Sequence, residues 1–260
     1  MKHSNLPTAL ASIALLVLLP FTFAQSSPPL LNQNTTCNAQ CQQLVQLSIA
    51  YEADSHAHTP LDSFYGIPDT FNASLKAGTL LHVEAHTNLT NYTVPSGLTM
   101  SRIMYTSQNL NGTVVPASAF VLWPYAPFQY TDGDKSPGRG HQKQQPDSKF
   151  PLVAWSHGTS GYFANCAPSN YRSLQYHFMT SYSLALEGFA VVATDYAGLG
   201  VTTLSDGEQT HEWLAGPSGA NDVAYAIEAA RTAFPDQLEK DGSFVTMGPR
   251  RDGPARLWRR

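Results

Sequence analysis

The pattern of apolar and polar positions changes character near the middle of the chain. Residues 101–107 (Ser-Arg-Ile-Met-Tyr-Thr-Ser) alternate in part with the period of two that a strand requires. Val114 to Trp123 is rich in Val, Phe and Ala. Between them lies Asn109-Leu-Asn111-Gly112. Asn-Gly tolerates positive φ, so the two segments are predicted to form an antiparallel hairpin. Leu75 to Glu84 reads as a turn followed by a strand. Farther on stand three short, continuous apolar runs: Phe150–Trp155, Phe189–Thr194 and Phe244–Met247. Segments with helical spacing separate them. Ser169–Glu187 carries Leu174, Phe178, Leu184 and Leu186, and Gly188 ends it. Ser218 reads as the cap of a helix to about Ala233, with Val223, Ile227 and Ala230 on one face and Pro235 as its stop. Apolar runs separated by helices predict a parallel sheet covered on both faces. The fold class is therefore α/β: an antiparallel hairpin leading into a parallel sheet flanked by helices.

The flanking segments read differently. Cys37 to Tyr51 has helical spacing, with Leu44, Leu47 and Ala50 apolar. Residues 25–36 are a Ser/Pro/Asn-rich lead-in, and residues 124–149 form a long surface loop poor in apolar residues. At the N-terminus, Lys2 and His3 precede the apolar run Ala9–Leu19, and Thr22-Phe23-Ala24 gives a small-x-small cleavage pattern. This is a signal peptide over residues 1–24, directing the chain outside the cell. The run is too short for a stable membrane span, which takes ~20 residues. Sequons at Asn34, Asn72, Asn88, Asn91 and Asn111 agree with a secreted glycoprotein.

Composition narrows the classes. Apolar residues make up 42% and charged residues 13%, which is globular rather than disordered. The net charge of -4, with no basic patch over most of the length, excludes nucleic acid as a partner. Cys37 and Cys41 stand four apart, at pairing distance across a turn or loop. Cys166 is then either a buried thiol or a half of an unmatched pair. The Cys-x-x-x-Cys spacing has no histidine pair near it, so no metal site is read. No cofactor motif is present.

Active sites in open α/β sheets lie beyond the C-terminal ends of the strands. The first such end carries Trp155-Ser156-His157-Gly158-Thr159-Ser160-Gly161. A His-Gly there suits the amide donors of an oxyanion hole at His157, Gly158 and Thr159, because glycine admits close backbone approach. Taken alone, the segment reads equally well as an ordinary glycine loop. Ser156 and Ser160 lack a Gly-x-Ser-x-Gly turn and are not read as nucleophiles. The second end carries Asp195-Tyr196-Ala197-Gly198. A triad acid follows its nucleophile in this architecture, so Asp195 is read as orienting a loop by hydrogen bonds. His82, His86, His141, His177 and His211 have no catalytic context and are read as surface or core residues.

The third end is Met247-Gly248, the expected entry to a nucleophile elbow. In place of the elbow stands an Arg-rich tail, residues 249–260, holding five of the nine arginines. No catalytic residue can be assigned. One base restored in the codon after Gly248 permits the reading Gly-His-Ser-Gln-Gly, an elbow at the expected place. The expectation is a frameshift there, the alternative being a natural variant tail. The chain then divides into a signal peptide (1–24), an N-terminal extension (25–60), a partial α/β-hydrolase domain (61–248) and an aberrant tail (249–260).

Five segments carry a resemblance: Asp62-Ser-Phe-Tyr65, Leu75–Leu81, Val153–Gly161, Asn165-Cys-Ala-Pro-Ser169 and Gly188–Gly200. In order and spacing, about residues 60 to 248 resemble the fungal and bacterial secretory lipase family, the lipase A-like branch of α/β-hydrolases. The resemblance implies an α/β-hydrolase fold, here incomplete and ending at the nucleophile-elbow strand. It implies a carboxylic ester hydrolase of esterase or triacylglycerol-lipase type, using a Ser-Asp-His triad and an inserted cap, all placed after the elbow. Only the oxyanion loop carries over residue by residue. It also implies that Cys166 pairs with a later cysteine. The partners implied are small-molecule or lipid esters, with transient contact to a lipid interface. As written, the chain is expected to be inactive, and an unpaired sheet edge invites aggregation. The alternative is a non-catalytic secreted glycoprotein or binding-only remnant.

Overall fold

The computed structural model describes residues 37–128, 149–175, 180–204 and 207–248. The signal peptide expected over residues 1–24, Asn34, His141, His177, most of the 124–149 segment and residues 249–260 lie outside the described residues. The chain divides into two compact units, 1–49 and 50–260.

Helix α1 (Ala39–Ser55) forms where the helical spacing predicts it, with Cys37 bridged to Cys41 at its start. Leu44, Leu47 and Ile49 remain exposed on it. Cys166 is a free, half-buried thiol.

In the larger unit, strands β1 (Leu80–Glu84), β2 (Leu98–Gln108) and β3 (Val114–Pro124) form an antiparallel meander. The Asn-Gly turn is as expected: Gly112 has φ 84°, a region glycine enters without steric cost. β4 (Leu152–Trp155), β5 (Ala190–Thr194) and β6 (Phe244–Met247) are mutually parallel. All six share one sheet in the order β1-β2-β3-β5-β4-β6. An antiparallel meander thus leads into a parallel sheet, the α/β arrangement that the apolar pattern predicts.

Helices α2 (Ser181–Leu186) and α3 (Gly216–Ala233) cover opposite faces. The period of two shows this: Ala190 and Val192 of β5 pack with Ile227 and Ala230 of α3. Their neighbours Val191 and Ala193 pack with Tyr182 and Ala185 of α2. Both faces of β4 and β5 are buried, so these strands are continuous apolar runs, while β6 is half-buried along its length.

Two helix boundaries differ from the sequence reading. Among the described residues, the helix expected over 169–187 is present as α2 and a single turn at Pro168–Asn170. Leu174 and Gln175 have positive φ, 50° and 39°, which no right-handed helix accommodates. Ser218 is not the cap of α3. That helix begins at Gly216, Pro217 occupies its first turn, and Ser218 is buried inside. Proline's fixed φ and missing N–H suit the first turn, where the N–H has no helical partner anyway.

Arg102 is the largest fully buried side chain. From β2 its guanidinium donates to Asp62 at 2.6 and 3.2 Å and to Glu84 at 2.5 and 3.1 Å. It also lies 4.2 Å over the Phe64 ring. The segment Asp62-Ser-Phe-Tyr65 is thereby locked to the sheet. Burial alone disfavours its charge, and the two carboxylates more than reverse that. Arg102→Met keeps the packing on Phe64 but removes the ion pairs. It is expected to lower the unfolding free energy by about 2 kcal/mol, both carboxylates keeping part of their hydration. Urea titration of the two proteins checks this.

Candidate active site

The register of the parallel strands sets the site. Trp155 pairs with Ala193 of β5 on one side and with Met247 of β6 on the other. All three strand ends therefore open on the same edge. The Ser156 amide donates to the Met247 carbonyl at 2.8 Å. Gly248 sits against the same residue, so closely that a Cβ there would collide with the Ser156 carbonyl oxygen. The predicted elbow entry and the predicted oxyanion loop are thus direct neighbours.

A cavity of about 740 Å³ opens at this edge. His157, Gly158, Thr159, Tyr196, Trp213 and Asp222 line it. His157 is buried. Its Nδ1 lies 2.6 Å from the Gly158 carbonyl oxygen, which only accepts, so that nitrogen carries a proton and donates. Its Nε2 faces the Asp195 carbonyl at 3.3 Å. The Tyr196 ring packs on the His157 imidazole at 4.4 Å and on His211 at 5.9 Å.

Asp195 is fully buried at the end of β5. Its carboxylate accepts from Ser118 Oγ at 2.6 Å, Ser169 N at 2.7 Å and Ser169 Oγ at 2.5 Å. Tyr92 donates to the Ser169 carbonyl at 2.9 Å, and Tyr65 OH and Ser169 Oγ stand 2.7 Å apart. Burial raises the Asp195 pKa, against the pull of these hydrogen bonds and Arg102. The contacts bind the β5 end to β3 and to the Ser169 turn.

Asp222 is a site residue that the sequence reading does not single out. It sits on the buried stripe of α3 one turn before Ala226, and a carboxylate among core positions is the available signal. Ser107 Oγ donates to it closely, and the Ala197 amide donates at 3.1 Å. The Tyr105 hydroxyl donates to the Asp222 carbonyl at 2.8 Å. Burial pushes its pKa up from 3.8 to about 7. Tyr196 and Trp213 also escape the sequence reading as lining residues, because their places depend on loops. Of the histidines read as surface or core residues, His82 and His86 are exposed, while His211 is half-buried and lines the cavity. No group of three His, Cys, Asp or Glu among the described residues is placed to hold a metal ion. No helix among the described residues is long and apolar enough to cross a membrane.

No protein-family model and no curated protein sequence matches the chain. Among solved structures, it is similar to Candida antarctica lipase A in its closed state, at 17% identity and a TM-score of 0.48, over 72% of this chain and 38% of that one. It is similar to the rice cell wall degrading esterase LipA from Xanthomonas oryzae, at 20% identity and 0.45, over 67% and 42%. A putative hydrolase from Legionella pneumophila aligns at 21% identity and 0.39, over 65% and 42%. The chain spans about two fifths of the length of each.

Both strand-end contacts can be tested by substitution. Gly248→Ala forces a methyl group into the Ser156 carbonyl and is expected to cost about 1–3 kcal/mol, read by urea titration. Asp222 holds its proton more tightly folded than unfolded, so its ionisation costs stability as pH rises. Relative to Asp222→Asn, the wild-type chain should lose stability from about pH 3.8 to about pH 7 and level off above. Paired urea titrations across that range check the sign.

Proposed function

We propose that the frame-restored form of this protein is a secreted carboxylic ester hydrolase of the esterase or triacylglycerol-lipase kind, belonging to the secretory lipase family, and that the 260-residue chain, to which no triad residue can be assigned, is inactive. The observation that carries this reading is the adjacency of Met247-Gly248 to Ser156-His157, with 2.8 Å between the Ser156 amide and the Met247 carbonyl oxygen. A serine displayed just after Gly248 would stand beside residues 157–159, where an acyl-transfer site needs its oxyanion donors.

In this reading the serine hydroxyl attacks the ester carbonyl while a histidine takes its proton. Charge gathers on the carbonyl oxygen, and amides of the His157-Gly158-Thr159 loop hold it. The histidine then returns the proton to the leaving alcohol, and water releases the acid. The serine, acid and base come after Gly248 in chain order. Asp195 orients the β5 loop and takes no proton. The site needs no cofactor.

The cavity supports a small-molecule or lipid ester as substrate. Trp213 and Leu214, 52% and 62% exposed, stand at its lining and supply an apolar surface for transient lipid contact. Among the proposed glycosylation positions, Asn72, Asn88, Asn91 and Asn111 are exposed, leaving room for a sugar. Asn34 completes the set.

The test compares the 260-residue chain with one whose reading frame is restored in the codon after Gly248. Each is incubated with p-nitrophenyl butyrate and with a fluorophosphonate. The restored chain is expected to hydrolyse the ester and to label on serine, and the 260-residue chain to do neither. A restored chain that is folded, soluble and inert to both reagents would sink the reading in favour of a non-catalytic glycoprotein.

A further inference from the structure

The loop that carries the proposed oxyanion donors is held by side chains rather than by a strand partner. The carbonyls of His157, Gly158 and Thr159 each meet a side-chain donor. The Tyr196 hydroxyl donates to the His157 carbonyl at 3.3 Å. His157 Nδ1 donates to the Gly158 carbonyl at 2.6 Å. Gln175 Nε2 donates to the Thr159 carbonyl at 3.5 Å, and the Tyr171 hydroxyl lies 3.5 Å from the Ser160 carbonyl. In a trans peptide the C=O of one residue and the N–H of the next point in opposite directions. Fixing the His157 carbonyl therefore fixes the Gly158 amide. Fixing the Gly158 carbonyl fixes the Thr159 amide.

Tyr196 bears on both of these peptides. Its hydroxyl occupies the carbonyl, and its ring packs on the imidazole that occupies the next one. It does so from an unusual backbone. Tyr196 has φ 67°, the left-handed region that a bulky side chain disfavours. The surrounding structure enforces that conformation. The Tyr196 amide donates to Thr194 Oγ1 at 3.0 Å, and Thr194 Oγ1 lies 2.7 Å from the Tyr105 hydroxyl. On the other side, the preceding Asp195 is anchored through its amide to the Ser118 carbonyl at 2.8 Å. A strained residue that the fold over-determines at a cavity wall points to a task.

We infer that Tyr196 is a positioning residue: through the His157 carbonyl and imidazole it sets the direction of the Gly158 and Thr159 amides. Its consequence for rate rests on the ester-hydrolase reading; its consequence for the loop does not. Substrate need not touch it. Preorganised donors stabilise a developing oxyanion only if they already point at it, so a loop free to turn over loses rate without losing substrate affinity.

The test uses Tyr196→Phe, which keeps the ring contact and deletes the hydroxyl. In the full 260-residue chain, labelled with ¹⁵N-glycine and ¹⁵N-threonine, the Gly158 and Thr159 amide signals are expected to shift and broaden. Those of Gly112 and Thr90, remote in sequence, should stay in place, as should the thermal midpoint. In the frame-restored chain, kcat for p-nitrophenyl butyrate is expected to fall ~10-fold with KM unchanged. If Tyr196→Phe does not fold, Tyr196→Asn, whose side chain tolerates the left-handed backbone, replaces it and should move the Gly158 signal further. Unmoved Gly158 and Thr159 signals would overturn the inference, as would an unchanged kcat in an active enzyme. Moved signals in a frame-restored chain without esterase activity would uphold the positioning role and remove the ester reading alone.

Discussion

The structure turns on one buried carboxylate. Asp195 is fully buried at the end of β5, where leaving its oxygens unpaired would be costly. Ser118 reaches it from β3, and Ser169 reaches it with both its amide and its hydroxyl. Three stretches far apart in sequence are drawn to one point. The next turn of the chain is set there as well. Tyr196 enters the left-handed region directly after this anchor, and the Asp195 carbonyl faces the His157 imidazole. The wall of the cavity is thus built outward from a buried carboxyl group that does not itself line the cavity.

The second constraint is the register of the parallel strands. β4 lies between β5 and β6, and Trp155 is level with Ala193 and Met247. Because parallel strands run the same way, their C-terminal turns gather on one edge. The Ser156 amide takes the Met247 carbonyl, and Gly248 lies flat against Ser156. Gly248 itself is brought beside the His157 loop for that reason alone. The functional proposal is a consequence of register before it is one of residue type.

A second carboxylate, Asp222, plays a similar part on the other side of the cavity. It joins α3 to β2 through Ser107 and to the β5 loop through the Ala197 amide. Asp195 and Asp222 both have raised pKa values, because burial outweighs the hydrogen bonds each accepts. The loop between β5 and α3 is therefore held at Asp195 and again at Ala197.

The sequence determined those features that depend on local spacing. The Asn111-Gly112 turn between two strands is legible from its residue types, and Gly112 supplies the positive φ. The apolar runs ending at Trp155, Thr194 and Met247 are continuous because both sheet faces are covered, and that pattern is legible without coordinates. The placement of Asp195 at a strand end, and of His157, Gly158 and Thr159 at the cavity, also comes from position along the strands. Other features were decided by tertiary structure. The start of α3 at Gly216 and the loss of helix at Leu174 depend on backbone angles that packing imposes. The approach of Asp222, Tyr196 and Trp213 to the cavity needs partners distant in the chain: Ser107, His157 and Thr159. Spacing along a chain reports which side of an element a residue takes. It cannot report which distant group will satisfy a buried polar atom, because that choice is made only when the elements meet.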